Sequence, residues 1–122
     1  MSYSPQVLEH FAHPRNAGEL PGADAEVRLE HPVCGDIMRL AIKVADGRVA
    51  QIRYQTRGCV ASIAAGSCLT EMVQGQPLSE AAKITRAELL SNLGGLNSAS
   101  MHASHLAMDA LEQVLKKLQS RK

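Results

Sequence analysis

The sequence predicts an α+β fold: a three-stranded antiparallel sheet with helices packed on one face and a long C-terminal helix. Three observations carry this. Residues 25 to 55 alternate apolar and polar side chains with period two, in three runs with short connections. From Val60 onward, small and apolar residues recur at helical spacing instead. Strands first and helices afterwards is the order expected when helices pack on one face of a small sheet.

Ser4-Pro5 opens a short helix, with Ser as N-cap and Pro at the first helical position. Val7 and Phe11 lie on one of its faces. His13-Pro14 ends it, because proline disfavours helical geometry at the residue before it. Asn16 to Gly22 reads as loop. Ala25, Val27 and Leu29 alternate with Glu26, Arg28 and Glu30 as a half-buried strand. Met38, Leu40, Ile42 and Val44 form the apolar side of a second strand. Asp46-Gly47 is a two-residue hairpin signal. Ala50, Ile52 and Tyr54 then line the inner side of a third strand, opposite Gln51, Arg53 and Gln55. The charged residues alternating along the strands fit an outer face in water.

In the helical half, Ile63, Leu69, Met72 and Val73 fit one broad face, and Gly75 caps the helix C-terminus. Ser79 to Ile84 is a short helix. Thr85-Arg86-Ala87-Glu88 is a capping box opening another, which Gly94-Gly95 breaks. The final helix begins near Ser98 or Ser100. Its apolar stripe is Ala103, Leu106, Ala107, Ala110, Leu111, Val114 and Leu118. Lys116, Lys117, Arg121 and Lys122 gather at its end, where the helix dipole favours cations.

A chain of 122 residues predicts one domain, residues 1–122. With two Tyr, one Phe and no Trp, its core rests on Leu, Ile, Val, Ala and Met. Net charge is +1 and the basic residues are scattered, so no nucleic-acid surface is expected. The longest uncharged apolar stretch, Val60 to Ala65, is far too short to cross a bilayer, so no membrane is expected. The N-terminus lacks the basic-then-apolar layout of a signal peptide. Three cysteines in such a chain read as reduced thiols in the cytoplasm, available for metal binding or sulfur chemistry.

Four residues in three segments have the side chains that iron or zinc recruits: Cys34 and Asp36, Cys59, and His102. Cys34-Gly35-Asp36 alone reads equally as a buried cysteine beside a turn aspartate. Cys59 follows Gly58, which permits close approach by another group, and lies at a helix start, where exposed N–H groups favour a thiolate. His102 is also near a helix start, where neutral imidazole, a ligand, is favoured. His105 competes with it from nearly the same face. His10, His13 and His31 read as surface or turn residues. Cys68 lies about 13 Å along the helix axis from Cys59 and is assigned to the core.

Several stretches together resemble the iron–sulfur cluster assembly scaffold family, that of IscU and the NifU N-terminal domain. They are Val33-Cys34-Gly35-Asp36-Ile37-Met38-Arg39-Leu40, Thr56-Arg57-Gly58-Cys59, Met101-His102, the opening Tyr3 to Asn16, and Leu106-Ala107-Met108-Asp109-Ala110. The resemblance covers nearly the whole chain. It implies an α+β domain that receives sulfur from a cysteine desulfurase, assembles a labile [2Fe–2S] cluster, and passes it to apo iron–sulfur proteins. Zn2+ or iron is implied in the same site, whose residues map onto Cys34, Asp36, Cys59 and His102. The family's third cysteine would follow the histidine, and Ala103 stands there. Leu96-Asn97-Ser98-Ala99-Ser100 departs from the family's chaperone-recognition motif, so an Hsp70-type chaperone is not expected as a partner. No inserted segment precedes the last helix, which argues against the zinc-dependent sulfur-acceptor branch.

Three readings follow. The first is a scaffold without enzymatic turnover, binding metal or a labile cluster. The second is a persulfide acceptor, with Cys59 or Cys34 taking the sulfur. The third is a degenerate homologue that only binds the desulfurase.

Overall fold

A computed structural model describes residues 3–120. Its elements are α1 (Pro5–Ala12), β1 (Ala25–Glu30), β2 (Ile37–Ala45), β3 (Arg48–Arg57), α2 (Val60–Val73), α3 (Leu78–Ala81), α4 (Arg86–Asn92) and α5 (His102–Gln119), with a 3-10 turn at Ser98–Ser100. The strands form one antiparallel meander in the order β1-β2-β3. Helix α5 packs on β1 and β2, and α2 packs on β3. Helix α1 then lies against α2, and α4 against α5 and α2. Glu26, Arg28, Glu30, Arg39, Gln51 and Gln55 are exposed on the opposite face. This is the α+β architecture that the strand and helix periodicities predict.

Local sequence explains most boundaries. Ser4 caps α1 by accepting the Val7 N–H at 3.0 Å, and Pro5 follows it. Asp46 and Gly47 both have positive φ, 54° and 75°, as a tight hairpin requires. Thr85 and Glu88 form the reciprocal capping box, with bonds of 3.2 and 3.0 Å. Gly75, at φ 85°, follows the end of α2 and donates to the Val49 carbonyl. The loop after α1 is tied to the sheet: Tyr54 N–H donates to the Asn16 carbonyl, and Gly18 N–H to that of Tyr54. Those bonds cover part of the β3 edge, which would otherwise offer unpaired backbone groups.

Several expectations need correction. The register shifts between Lys43 and Val44, a bulge that turns Val49 inward. Val49 is fully buried, while Ala50, expected on the inner side, is exposed. Helix α2 is not buried along one face only. Ala61, Ser62, Ala64 to Leu69, Thr70 and Val73 are all buried, and the expected face residues Ile63 and Met72 are only half-buried. A helix surrounded by α1, β3, α4 and α5 has little solvent face to keep polar. Gly66 shows how tight this is: a Cβ there would stand 2.5 Å from the Tyr54 ring. Phe11 remains 41% exposed; Val7 and His10 fill the buried side of α1.

His10 is therefore not a surface residue. Its Nδ1 lies 2.7 Å from Ser67 Oγ, which also accepts the Arg15 N–H at 2.8 Å. Burial, reinforced by nearby Arg15, holds the His10 imidazolium pKa below its ordinary value. Cys68 is 2% exposed, as its core assignment requires, and burial pushes its thiol up to about 11. The stripe of α5 from Ala103 to Val114 is buried as expected. The helix starts at His102 rather than Ser98 or Ser100, because a 3-10 turn occupies that stretch. Arg121 and Lys122 lie outside the described residues.

Candidate metal centre

The β1–β2 connection, the junction of β3 with α2, and the start of α5 meet at one end of the sheet. The first carries Cys34 and Asp36. Gly35 between them takes φ +78° with nothing within 4 Å of its Cβ position, so the chain turns there in open space. Cys59 is the N-cap residue of α2, and His102 is the first residue of α5.

Three of these side chains form one donor group, and Cys59 lies beside it, next to His102 and Asp36. Donor atoms of Cys34, Asp36 and His102 all lie within 4.8 Å of one another. Cys59 Sγ is 3.6 Å from His102 Nε2, and the Cys59 N–H lies 3.4 Å from Asp36 Oδ2. Donors around one tetrahedral zinc at 2.0–2.3 Å stand roughly 3.3–3.8 Å apart. Cys34, Asp36 and His102 lie near that spacing; Cys59 stands beside their group and would have to close on it to complete a set of two thiols, one carboxylate and one imidazole suited to a metal ion or small cluster. His105 is exposed and falls outside this group. Cys34 is exposed rather than buried, which removes the core reading of its Cys-Gly-Asp motif.

Asp36 is the hub. Its Oδ2 accepts from Ser62 Oγ at 2.6 Å and lies 3.3 Å from His102 Nε2. Burial alone would raise its carboxyl pKa. The hydrogen bonds of Ser62, of the Cys59 thiol and backbone, and of His102 outweigh burial and hold it below the ordinary value. The carboxylate sits against Gly58, the glycine expected to allow close approach by another group. Ser62 also lies 3.5 Å from Cys59 Sγ, so one hydroxyl touches both the carboxylate and a thiol.

Sequence reasoning missed two participants. Ser62 carries no motif signal, although its place one turn after an N-cap cysteine could have marked it. His31 was expected at the surface or in a turn, and it is in a turn. Its Nδ1, however, accepts the N–H groups of Val33 at 3.2 Å and Cys34 at 3.4 Å. Its ring centroid lies 5.4 Å from that of His102. Ala103 is fully buried beside His102 and brings no donor.

Fold and donor set define a class: a small α+β domain that gathers thiol, carboxylate and imidazole groups at one end of an antiparallel sheet. The family model for the NifU-like N terminal domain matches residues 2–122, and the chain belongs to that family. It is 47% identical over 113 residues to "Iron-sulfur cluster assembly scaffold protein IscU 1" of Archaeoglobus fulgidus, covering 93% of this chain and 74% of that protein. It is 37% identical over 116 residues to the IscU scaffold protein of Aquifex aeolicus, with coverage of 93% and 74%. The N-terminal NifU-like structure from Brucella abortus shares the fold, with a TM-score of 0.82 at 16% identity over 98% of this chain and 95% of that one.

Proposed function

We propose that this chain is an iron–sulfur cluster assembly scaffold whose cargo is held by Cys34, Asp36, Cys59 and His102. The observation that supports the reading is the meeting of Cys34, Asp36 and His102 in one donor group, with Cys59 Sγ beside it at 3.6 Å from His102 Nε2. The scaffold names of its relatives support it. The cargo is a labile [2Fe–2S] cluster, with zinc or iron alone able to take the same place. Histidine can replace a cysteine ligand of such a cluster. A carboxylate ligand and only two thiolates bind it less firmly than a full cysteine set, which suits a protein that passes its cargo on. No described helix is long and apolar enough to cross a membrane. The free thiols suit the reducing cytoplasm.

A cysteine desulfurase is the sulfur source in this reading, and apo iron–sulfur proteins are the recipients. Cys34 is the sulfur acceptor. It is exposed, and its Sγ receives the Asp36 N–H at 3.5 Å. Its thiolate attacks the terminal sulfur of the desulfurase persulfide. A new S–S bond forms on Cys34 while the desulfurase S–S bond breaks, and the desulfurase leaves as thiolate.

Anaerobic reconstitution with ferrous iron, cysteine, a desulfurase and a dithiol reductant, which supplies the electrons that turn persulfide sulfur into sulfide, tests the proposal. The expected product carries equal iron and acid-labile sulfide, and loses both in Cys34→Ser and Cys59→Ser. Iron bound without sulfide, or sulfide retained in both variants, would overturn it.

A further inference from the structure

We propose that His31 is a positioning residue for the cargo site, and that its Nδ1 presets the loop that presents Cys34 and Asp36. The inference rests on the assignment of Cys34, Asp36 and His102 as ligands made above. It concerns a residue that offers no ligand atom within the group itself.

Four bonds join His31 to its own loop. Its backbone N–H donates to the Asp36 carbonyl at 2.8 Å, and its carbonyl accepts the Gly35 N–H at 2.9 Å. Its Nδ1 accepts from Val33 and Cys34, as described. The two backbone bonds alone close a turn. Gly35, with positive φ and open space around it, and Val33, 88% exposed, leave the Cys34 segment little other packing. The Nδ1 contacts therefore fix the part of the loop that the backbone bonds leave loose. An Nδ1 that accepts two N–H groups carries no proton, so the ring's proton is on Nε2. That tautomer cannot ligate through Nε2 without abandoning the loop, which assigns His31 to positioning and not to ligation. Its ring also leans on His102 at an interplanar angle of 59°, so the Cys34 loop is braced against the start of α5.

This brace matters more here because Ala103 supplies no thiol. With fewer strong donors, affinity depends more on how well the remaining ones are preset.

The test compares full-length His31→Ala and His31→Asn with the unmodified protein. Asparagine places an acceptor oxygen close to where Nδ1 stands, and so keeps the loop bonds without the ring. Zinc affinity is read by competition with a chromophoric chelator, and the Co2+ form by its thiolate charge-transfer and visible bands. The alkylation rate of Cys34 by iodoacetamide is read in the metal-free protein. His31→Ala is expected to bind zinc about 10-fold or more weakly, the usual effect of losing an outer-shell partner. Its Co2+ bands should shift and its Cys34 alkylation rate should change several-fold, with unmodified thermal unfolding. His31→Asn should restore all three readouts toward the parent. Equal zinc affinity and Cys34 reactivity in His31→Ala, or no rescue by asparagine in a folded protein, overturns the inference. Failure of the unmodified protein to bind zinc or Co2+ would count instead against the ligand assignment, while the Cys34 alkylation comparison still decides the role of His31.

Discussion

A Cβ at position 58 would stand 2.7 and 2.8 Å from the two carboxylate oxygens of Asp36. Only a glycine lets that carboxylate lie against the backbone just before Cys59, and so the strand-to-helix junction and the β1–β2 loop meet. The Gly58→Ala variant must move Asp36 away from Ser62 and the Cys59 N–H. The expected outcome is a stability loss of about 1–3 kcal/mol, the range for a broken buried polar contact. Zinc affinity should fall with it. Urea unfolding and a zinc competition titration check both. An alanine variant with parental stability and affinity would mean the contact is unimportant.

Ser62→Ala removes the shortest hydrogen bond to Asp36. In the metal-free protein the Asp36 carboxyl lies below its ordinary value of 3.8: burial opposes this, but the bonds from Ser62, Cys59 and His102 outweigh it. As pH falls, the unfolded chain takes up that proton first. The contribution of Asp36 to stability is thus full above the ordinary value and is lost as pH falls through the lower folded value. Ser62→Ala raises the folded value toward the ordinary one, so the acid loss due to Asp36 should be smaller and complete at higher pH, and the gap between parent and variant should narrow as pH falls. Urea midpoints measured from neutral pH down through the carboxylate range report this. Profiles that differ only by a constant offset would contradict the role given to Ser62.

Much of this site was legible as residue types. Cys34, Asp36, Cys59 and His102 are conspicuous because each combines metal-binding chemistry with a turn or helix start. The hairpin at Asp46-Gly47 and the cap at Thr85 were legible because backbone geometry demands those residues locally. What escaped depended on tertiary context. The bulge that exchanges Val49 for Ala50 leaves no trace in strict alternation. Helix α2 hides its burial because Ala, Gly and Ser are small enough to be packed on every side, blurring any apolar face. His10 and His31 became structural through partners distant in sequence or through turn geometry, Ser67 for one and the Cys34 backbone for the other.

Zinc should stabilise the protein because the complete donor set exists only when three segments are folded together. At free zinc 100 times its dissociation constant, the gain is about 2.7 kcal/mol. The melting temperature should rise accordingly in calorimetry. The gain should shrink on acidification as protons compete for the thiols and His102. An unchanged melting temperature with excess zinc would count against ligation by these residues.

Ala103→Cys tests the missing thiol. The position is fully buried, so the added sulfur costs about 1–3 kcal/mol if it stays in the core. Turned toward His102, it supplies a third thiolate. The cluster half-life in the presence of a chelator should then lengthen, and persulfide yield with a desulfurase should rise. If neither quantity moves in a folded variant, the side chain at 103 belongs to the core alone.

The most direct measurement is cluster transfer. The anaerobically reconstituted protein is mixed with an apo-ferredoxin and a strong iron chelator, and holo-ferredoxin is followed by its visible circular dichroism. The account predicts that most of the cluster reaches the ferredoxin despite the chelator, and that Cys34→Ser and Asp36→Ala each abolish or greatly slow the delivery. Capture of the iron by the chelator with no holo-ferredoxin formed would show that these residues bind metal without acting as a scaffold, and would contradict the account.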